Sequence, residues 1–318
     1  MHRLRTVRGA HCVVLIGELT VPGERASFYE EVHRGGYVRL IRGAYLSLES
    51  WSAMDRHDRY RAVIEAAAAR SAERLVFSHE SAAALWRLPS LEAWPRVVHI
   101  AWPHTNSTRS STVFARHSVG IPGATVSIAG YEVTTLARTI VDLAAKRSLE
   151  VATIFTDAAL HRTGHPVPGA PECSVDKEQL FAELELIALR QGTARARATI
   201  DFADGAADRP GESISRVSIY RAGLTAPQLQ VEIFGASGRR YVVDFWWPEF
   251  NLIGEFDGWA KYTDPEFLRG RTPEQALREE KAREDDLRAT GRGMSRWGWK
   301  VARSPDALRS HLMAAGVG

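Results

Sequence analysis

Two cysteines in 318 residues, Cys12 and Cys173, leave no disulfide framework and no paired-thiol spacing for a zinc site. They are expected to be reduced thiols of a cytoplasmic protein. No apolar run approaches the ~20 residues that a membrane-crossing helix needs, so no membrane partner is expected. The apolar stretch Cys12–Ile16 follows a basic start but is too short for a signal peptide, and Glu18 comes directly after it. An excess of one charge is also missing. The chain has 41 Lys and Arg against 38 Asp and Glu, a formal +3 that permits a nucleic-acid partner without demanding one. No phosphate-cradling glycine loop, no nucleophile elbow and no internal repeat is visible. His161 and His165 stand four apart, but Gly164 and Pro166 argue against a shared helix, so they do not read as a metal pair.

What is present is an ordinary globular composition, 45% hydrophobic and 25% charged, in a chain long enough for two or three domains. Residues 26–33 can form a short helix, which Gly35-Gly36 stops. Two β-rich runs, 37–41 and 44–48, flank Arg42-Gly43 and predict a small hairpin. A helix followed by a basic hairpin is the outline of a winged helix, which would set Arg34, Arg39 and Arg42 against DNA phosphates. A surface hairpin with solvated arginines is the alternative. Further on, a helix is expected over 55–72. Ser78 would cap a helix running through Trp86, and 97–102 reads as a strand. Thr134 is expected to cap a helix over 136–145, in which Arg138 and Asp142 are four apart and can form a structural pair. Residues 162–176 read as a linker or long loop, a helix follows from about 177 to 190, and 203–211 is a second break. The predicted organisation is a winged-helix-like region 1–50, an α+β region 51–162, a linker and helix 163–204, and a final domain 205–318. The fold class is mixed α/β.

The final domain reads as a helix near 212–222, a strand 229–234 and a hairpin 240–257. A long helix from Pro273 follows, with Thr272 and Gln275 forming a capping box. Gly291 stops that helix; a strand near 299–303 and a terminal helix complete the order, which predicts a mixed sheet with helices on its faces. If Pro248–Asn251 is the hairpin loop, Trp247 lies opposite Leu252 and Asp244 lies opposite Glu255. Alternation would then place Val242, Asp244 and Trp246 on one face with Ile253, Glu255 and Asp257. The opposed carboxylates would have Cβ atoms about 5 Å apart among apolar neighbours, a conflict that a divalent cation removes. A wet face with solubilising acids is the alternative. Glu212 opens its helix after Pro210-Gly211; the helix N-terminus, or Arg216 four residues on, would also account for it. Leu277, Glu280, Lys281, Glu284 and Leu287 read as one sheet-facing stripe. Lys261, beyond the hairpin, could return toward the acids, where a lysine can position a metal-bound water. Trp246 and Trp247 alternate faces, so one of them could be exposed near the site.

Tyr241-Val242-Val243-Asp244-Phe245, followed by Ile253-Gly254-Glu255-Phe256-Asp257-Gly258, resembles the PD-(D/E)XK nucleases, in the branch similar to very-short-patch-repair endonucleases. Gly211-Glu212-Ser213 and the segment from Arg278 to Gly291 fit the same branch, and the resemblance covers about residues 205–305. It implies a restriction-endonuclease-like mixed sheet flanked by helices, and a magnesium or manganese site made by Asp244, Glu255 and Glu212. It also implies a catalytic lysine two residues after Glu255, where this chain has Asp257. Lys261 or Lys281 would have to substitute, or the site no longer cleaves. The run Gly36 to Tyr45, the segment Ser78 to Trp86 and Thr134 to Thr139 resemble abortive-infection E type antitoxins of type IV toxin–antitoxin systems, over about residues 10–160. That resemblance implies DNA binding and autoregulation, and for an antitoxin a nucleotidyltransferase-like toxin as partner. The combined expectation is a DNA-binding protein with a metal-dependent endonuclease-like domain; the alternative is a non-catalytic DNA-binding regulator or antitoxin.

Overall fold

The structure is a computed structural model that describes residues 11–102, 111–118, 124–187, 191–207, 209–258 and 272–318. It is mixed α/β, with several sheets flanked by helices. The chain divides into two compact units, Met1–Phe155 with Arg162–Asp201, and Thr156–His161 with Phe202–Gly318.

The first unit opens with a three-stranded sheet in the order β1-β3-β2, formed by β1 (Val14–Leu15), β2 (Tyr37–Ile41) and β3 (Ala44–Ser47). Helix α1 (Glu24–His33) precedes the hairpin and ends where Gly35 takes φ 82°, a left-handed conformation that glycine adopts without steric cost. Phe28 of α1 packs on Tyr37 and Tyr45 of the hairpin, which fixes helix to sheet. The turn between β2 and β3 rests on Gly43, at φ 79°. Ser47 then caps α2 (Leu48–Ala53), so Leu48, read from sequence as strand, begins a helix. The reason is local: the Ser47 hydroxyl accepts the Ser50 N–H at 3.1 Å and competes with continued pairing. Helix α3 (Arg56–Arg70) follows, capped by Asp55.

The rest of the first unit is a five-stranded sheet in the order β6-β5-β4-β8-β7. Its strands are β4 (Val76–Phe77), β5 (Val98–Ala101), β6 (Phe114–His117), β7 (Thr125–Ile128) and β8 (Tyr131–Thr134). Helices α4 (His79–Leu85), α5 (Leu136–Lys146), α7 (Lys177–Ile187) and α8 (Thr193–Phe202) accompany it, as does the first half of α6 (Leu149–His161), whose residues from Thr156 belong to the second unit. The cap of α5 is Thr135 rather than Thr134. The Thr135 hydroxyl accepts the Arg138 N–H at 3.2 Å, while Thr134 hydrogen-bonds Thr139. Arg138 and Asp142 do pair, at 3.0 Å, and both are buried.

The second unit is built on a four-stranded mixed sheet in the order β12-β11-β10-β9. Its strands are β9 (Gln228–Phe234), β10 (Arg240–Trp247), β11 (Leu252–Asp257) and β12 (Gly293–Gly298). The β11–β12 pair is parallel and the others antiparallel. Helices α9 (Pro210–Arg221), α10 (Pro273–Arg288), α11 (Trp299–Ala302) and α12 (Pro305–Ala314) belong to the same unit. The capping box at Thr272 and Gln275 is formed. The last strand lies at 293–298, not at 299–303. Its register runs from Leu252↔Gly293 to Asp257↔Gly298 and exhausts β11, so residues beyond Gly298 have no ladder to join and turn into α11.

Phe245, Trp247 and Trp297 stack in the core of this unit. Gly254 lies between them: an added β-carbon would come within 2.7 Å of the Trp297 ring, 2.8 Å of Trp247 and 3.0 Å of Phe245. Gly254→Ala is therefore expected to destabilise the protein by about 1–3 kcal/mol through overpacking. An unchanged urea midpoint in that variant would contradict this packing.

Candidate acidic site

The hairpin register follows the loop at Pro248–Asn251, with Trp247↔Leu252, Trp246↔Ile253 and Phe245↔Gly254. The paired register ends there; beyond it Asp244 Oδ2 accepts the Phe256 N–H at 2.9 Å, which holds Asp244 against the strand that carries Glu255. The pairing of β10 with β9 skips the same level, passing from Val243↔Val231 to Phe245↔Leu229. Gln230, the residue skipped on β9, has φ 49°. Side-chain alternation changes phase here. Tyr241 and Val243 pack in the same cluster as Trp246 and Ile253, whereas Phe245 and Trp247 stack on Trp297. Val242, expected on the face of Asp244 and Trp246, is instead 45% exposed. Interrupted pairing of this kind re-aims a side chain.

Glu255 is buried, and Arg283 of α10 grips it with two bonds, Nη2 to Oε1 at 2.8 Å and Nη1 to Oε2 at 3.2 Å. Burial pulls the Arg283 pKa down, but the hydrogen bonds and charge of Glu255, joined by the charge of Asp244, leave it raised. Glu255 thus holds Arg283 directly, and the charge of Asp244 acts on the same guanidinium. Beside them Asp257 is forked by Arg296 of β12 at 2.8 and 2.7 Å, and Arg296 also reaches Glu280 and Glu284 of α10. The sheet-facing stripe of α10 is Ala276, Glu280, Arg283 and Leu287. Leu277 is 56% exposed and Lys281 is exposed, so that stripe differs from the one read off the sequence.

Glu212, on the first turn of α9, is also buried and accepts a hydrogen bond from Gln230 Nε2 at 2.9 Å. Helix α9 packs through Gly211 on Phe256 and through Ser215 on Trp297. Among the described residues no three His, Cys, Asp or Glu side chains gather closely enough to hold a metal ion. Lys261 lies outside the described residues. Carboxylate oxygens are the donors that magnesium uses, and Glu255 offers both of its oxygens to the Arg283 guanidinium. Trp247 is fully buried and donates to Thr225 O, while Trp246 is half-buried under Arg292. In the first unit Arg34 pairs with Glu30 at 3.5 Å, and Arg39 and Arg42 are exposed on the hairpin.

A second polar cluster includes His79 and Glu80 of the Ser78–Trp86 segment, which the sequence did not mark as a site. His79 begins α4 at φ 49° while 1% exposed, a conformation that costs free energy for a non-glycine residue. Its ring stacks on His117 at 3.6 Å. His117 Nε2 lies 2.9 Å from His99 Nδ1, and Lys146 lies 2.6 Å from His117 Nδ1. Glu80 is held by Arg147 and lies 2.9 Å from His99 Nδ1. These residues come from α4, β5, β6 and α5, so no local spacing signals them. Burial, then neighbouring cations and histidines, push His79 well below its ordinary pKa; burial and Lys146 bring His117 to about 3. Burial raises Asp142 to about 6.

The unfolded chain takes up protons at both histidines near pH 6.5, where the folded protein does not. Stability therefore falls as the pH drops below 6.5. Asp142 acts oppositely between pH 6 and 3.8, one group against two. A loss of about 2 kcal/mol between pH 6.5 and 5 is expected, and His117→Gln should lessen it. Equal slopes for the variant and the wild type in urea titrations at several pH values would contradict the assignment.

No family model matches the chain, and no solved structure matches it. Two proteins of Mycobacterium tuberculosis are similar to part of it, the uncharacterized protein MT2308 of strain CDC 1551 / Oshkosh and the uncharacterized protein Rv2248 of strain H37Rv. Each is 37% identical over 91 residues, 28% of this chain and 34% of the relative, so the match spans about a third of either relative's length. Among the described residues no helix is long and apolar enough to cross a membrane.

Proposed function

We propose that the chain is a cytoplasmic DNA-binding protein whose second unit is an endonuclease-like domain that hydrolyses phosphodiester bonds. The observation that supports this reading is the placing of Asp244 and Glu255 on adjacent strands, with Glu255 buried on Arg283 and the charge of Asp244 acting on the same guanidinium. Asp244 and Glu255 would hold magnesium or manganese, with Glu212 as the further acid that the nuclease resemblance supplies. Such an ion activates a water for attack on phosphorus. Arg283 balances the charge of Glu255, which would have to turn from it to hold an ion. Arg39 and Arg42 of the first unit would contact DNA phosphates, which position a protein on the strand without reading sequence. The test is incubation of the protein with single-stranded, duplex and branched DNA and magnesium or manganese, beside Asp244→Asn. Metal-dependent cleavage lost in the variant supports the reading.

A second reading has its own observation. Arg283 on Glu255 and Arg296 on Asp257 already give these two acids cationic partners from within, and Asp257 stands where the nuclease resemblance places a lysine. Under this reading the protein is a non-catalytic DNA-binding regulator or an antitoxin of a type IV system, with a nucleotidyltransferase-like toxin as partner. It expects no cleavage of any substrate and salt-sensitive binding to the promoter of its own gene.

A further inference from the structure

A pocket of about 460 Å³ opens in the first unit between α1, the β2–β3 hairpin and α3. Arg25 and Tyr29 line it from α1, Arg39, Arg42 and Tyr45 from the hairpin, and Arg70 from the last turn of α3. Among the described residues no acid lines it, and neither Arg39, Arg42 nor Arg70 makes an ion pair with any of them. Elsewhere this chain matches inward arginines with carboxylates, as at Arg138–Asp142, Arg216–Asp157 and Arg283–Glu255. Here guanidinium groups converge with no described carboxylate to balance them.

Their placement is built into the backbone. Arg25 is tied by its Nε to Leu19 O at 2.8 Å. Arg70 lies over the hairpin turn, with its Nη1 2.9 Å from where a β-carbon on Gly43 would stand. Gly43 is thus required both for its φ of 79° and for the room it leaves Arg70. Planar guanidinium forks arranged around a cavity suit a phosphate dianion, which accepts several charge-assisted bonds at once. The volume is that of a small-molecule site, roughly 300–1,000 Å³. Tyr29, 41% exposed at the pocket, offers a ring face to a base.

We propose that this pocket binds the phosphate of a nucleotide, enclosing it between Arg39, Arg42 and Arg70 with Tyr29 beside the base. The site shares Arg39 and Arg42 with the DNA contact proposed above but rests on Arg70 and the α1 wall, which close the pocket around a discrete ligand.

Calorimetric titration of the full chain with ATP, AMP, pyrophosphate and inorganic phosphate tests this, alongside anisotropy of a labelled duplex. Saturable nucleotide binding is expected, weakened about tenfold or more by Arg70→Ala as charge-assisted bonds are lost. Duplex affinity should change less than about threefold in that variant, since a lone phosphate contact contributes little to a multi-contact electrostatic footprint. Tyr29→Ala should weaken AMP but not pyrophosphate. Circular dichroism of each variant checks that it is folded, and Arg70→Lys serves as the milder substitution if Arg70→Ala is not. The proposal is overturned if no probe binds saturably at millimolar concentration, or if the Arg70 substitution leaves nucleotide affinity unchanged. It is also overturned if nucleotide and duplex weaken alike, which would make the pocket part of the DNA contact. Nucleotide binding without duplex binding would sustain it while removing the DNA-binding reading.

Discussion

Asp244→Asn and Glu255→Gln are each expected to lower metal-dependent DNA cleavage by at least ~100-fold, the upper end of what loss of a mere outer-shell partner costs a metal site. Both substitutions nearly preserve shape. An Asn at 244 can still accept the Phe256 N–H, and a Gln at 255 can still accept one of the two Arg283 bonds. What disappears is the negative charge that holds a divalent ion. The unfolding midpoint of Asp244→Asn should therefore stay close to that of the wild type while cleavage collapses, whereas Glu255→Gln also strips the buried partner of Arg283 and lowers its midpoint. Normal cleavage by both variants would remove the acidic site from the mechanism. An inactive wild type that still binds DNA would favour the regulator reading, with Arg283 as a permanent counterion.

Asp157→Ala is expected to destabilise the second unit by about 3–5 kcal/mol, the cost of stripping one partner from a buried ion pair. Asp157 is fully buried and accepts three hydrogen bonds, from Arg216 Nη1 at 2.7 Å, Ser213 Oγ at 2.8 Å and Asp204 N at 2.8 Å. Burial raises its pKa, and the charge of Arg216 and these hydrogen bonds oppose that shift. Without the carboxylate, Arg216 keeps, among the described residues, its bond to Phe202 O and its place over the Phe202 ring, with a side chain 10% exposed. Total stabilities of 5–15 kcal/mol make such a loss large. Urea unfolding followed by tryptophan fluorescence would measure it. If Arg216→Ala in the Asp157→Ala background restores stability, the uncompensated cation is the cause. A single-variant loss below about 1 kcal/mol would refute the assignment, since that is the scale of an exposed pair.

Elements governed by neighbours in the chain were legible in the sequence. The capping box at Thr272, the Arg42-Gly43 turn, the helix stop at Gly35 and the register of the hairpin around Pro248–Asn251 all follow from side chains within a few residues of one another. Counting back from that loop gives the pairs Trp247↔Leu252, Trp246↔Ile253 and Phe245↔Gly254. The sequence did not show the phase change at Asp244, which depends on the break in pairing with a third strand at Gln230. Nor did it show the true inward stripe of α10, because charged and apolar residues occupy both candidate faces and only packing against the sheet selects one.

By itself, then, the sequence determined the mixed α/β class, most helix and strand positions and the hairpin register next to its loop, because hydrogen-bonding period and turn chemistry act over short distances. Only the tertiary structure decided which cation meets each acid. Arg283 lies 28 residues from Glu255 and Arg296 lies 39 from Asp257. It also decided that three histidines from α4, β5 and β6 stack in one place and that arginines from three elements ring a single pocket. Charges distant in sequence carry no periodic signal; burial against one another sets their partners.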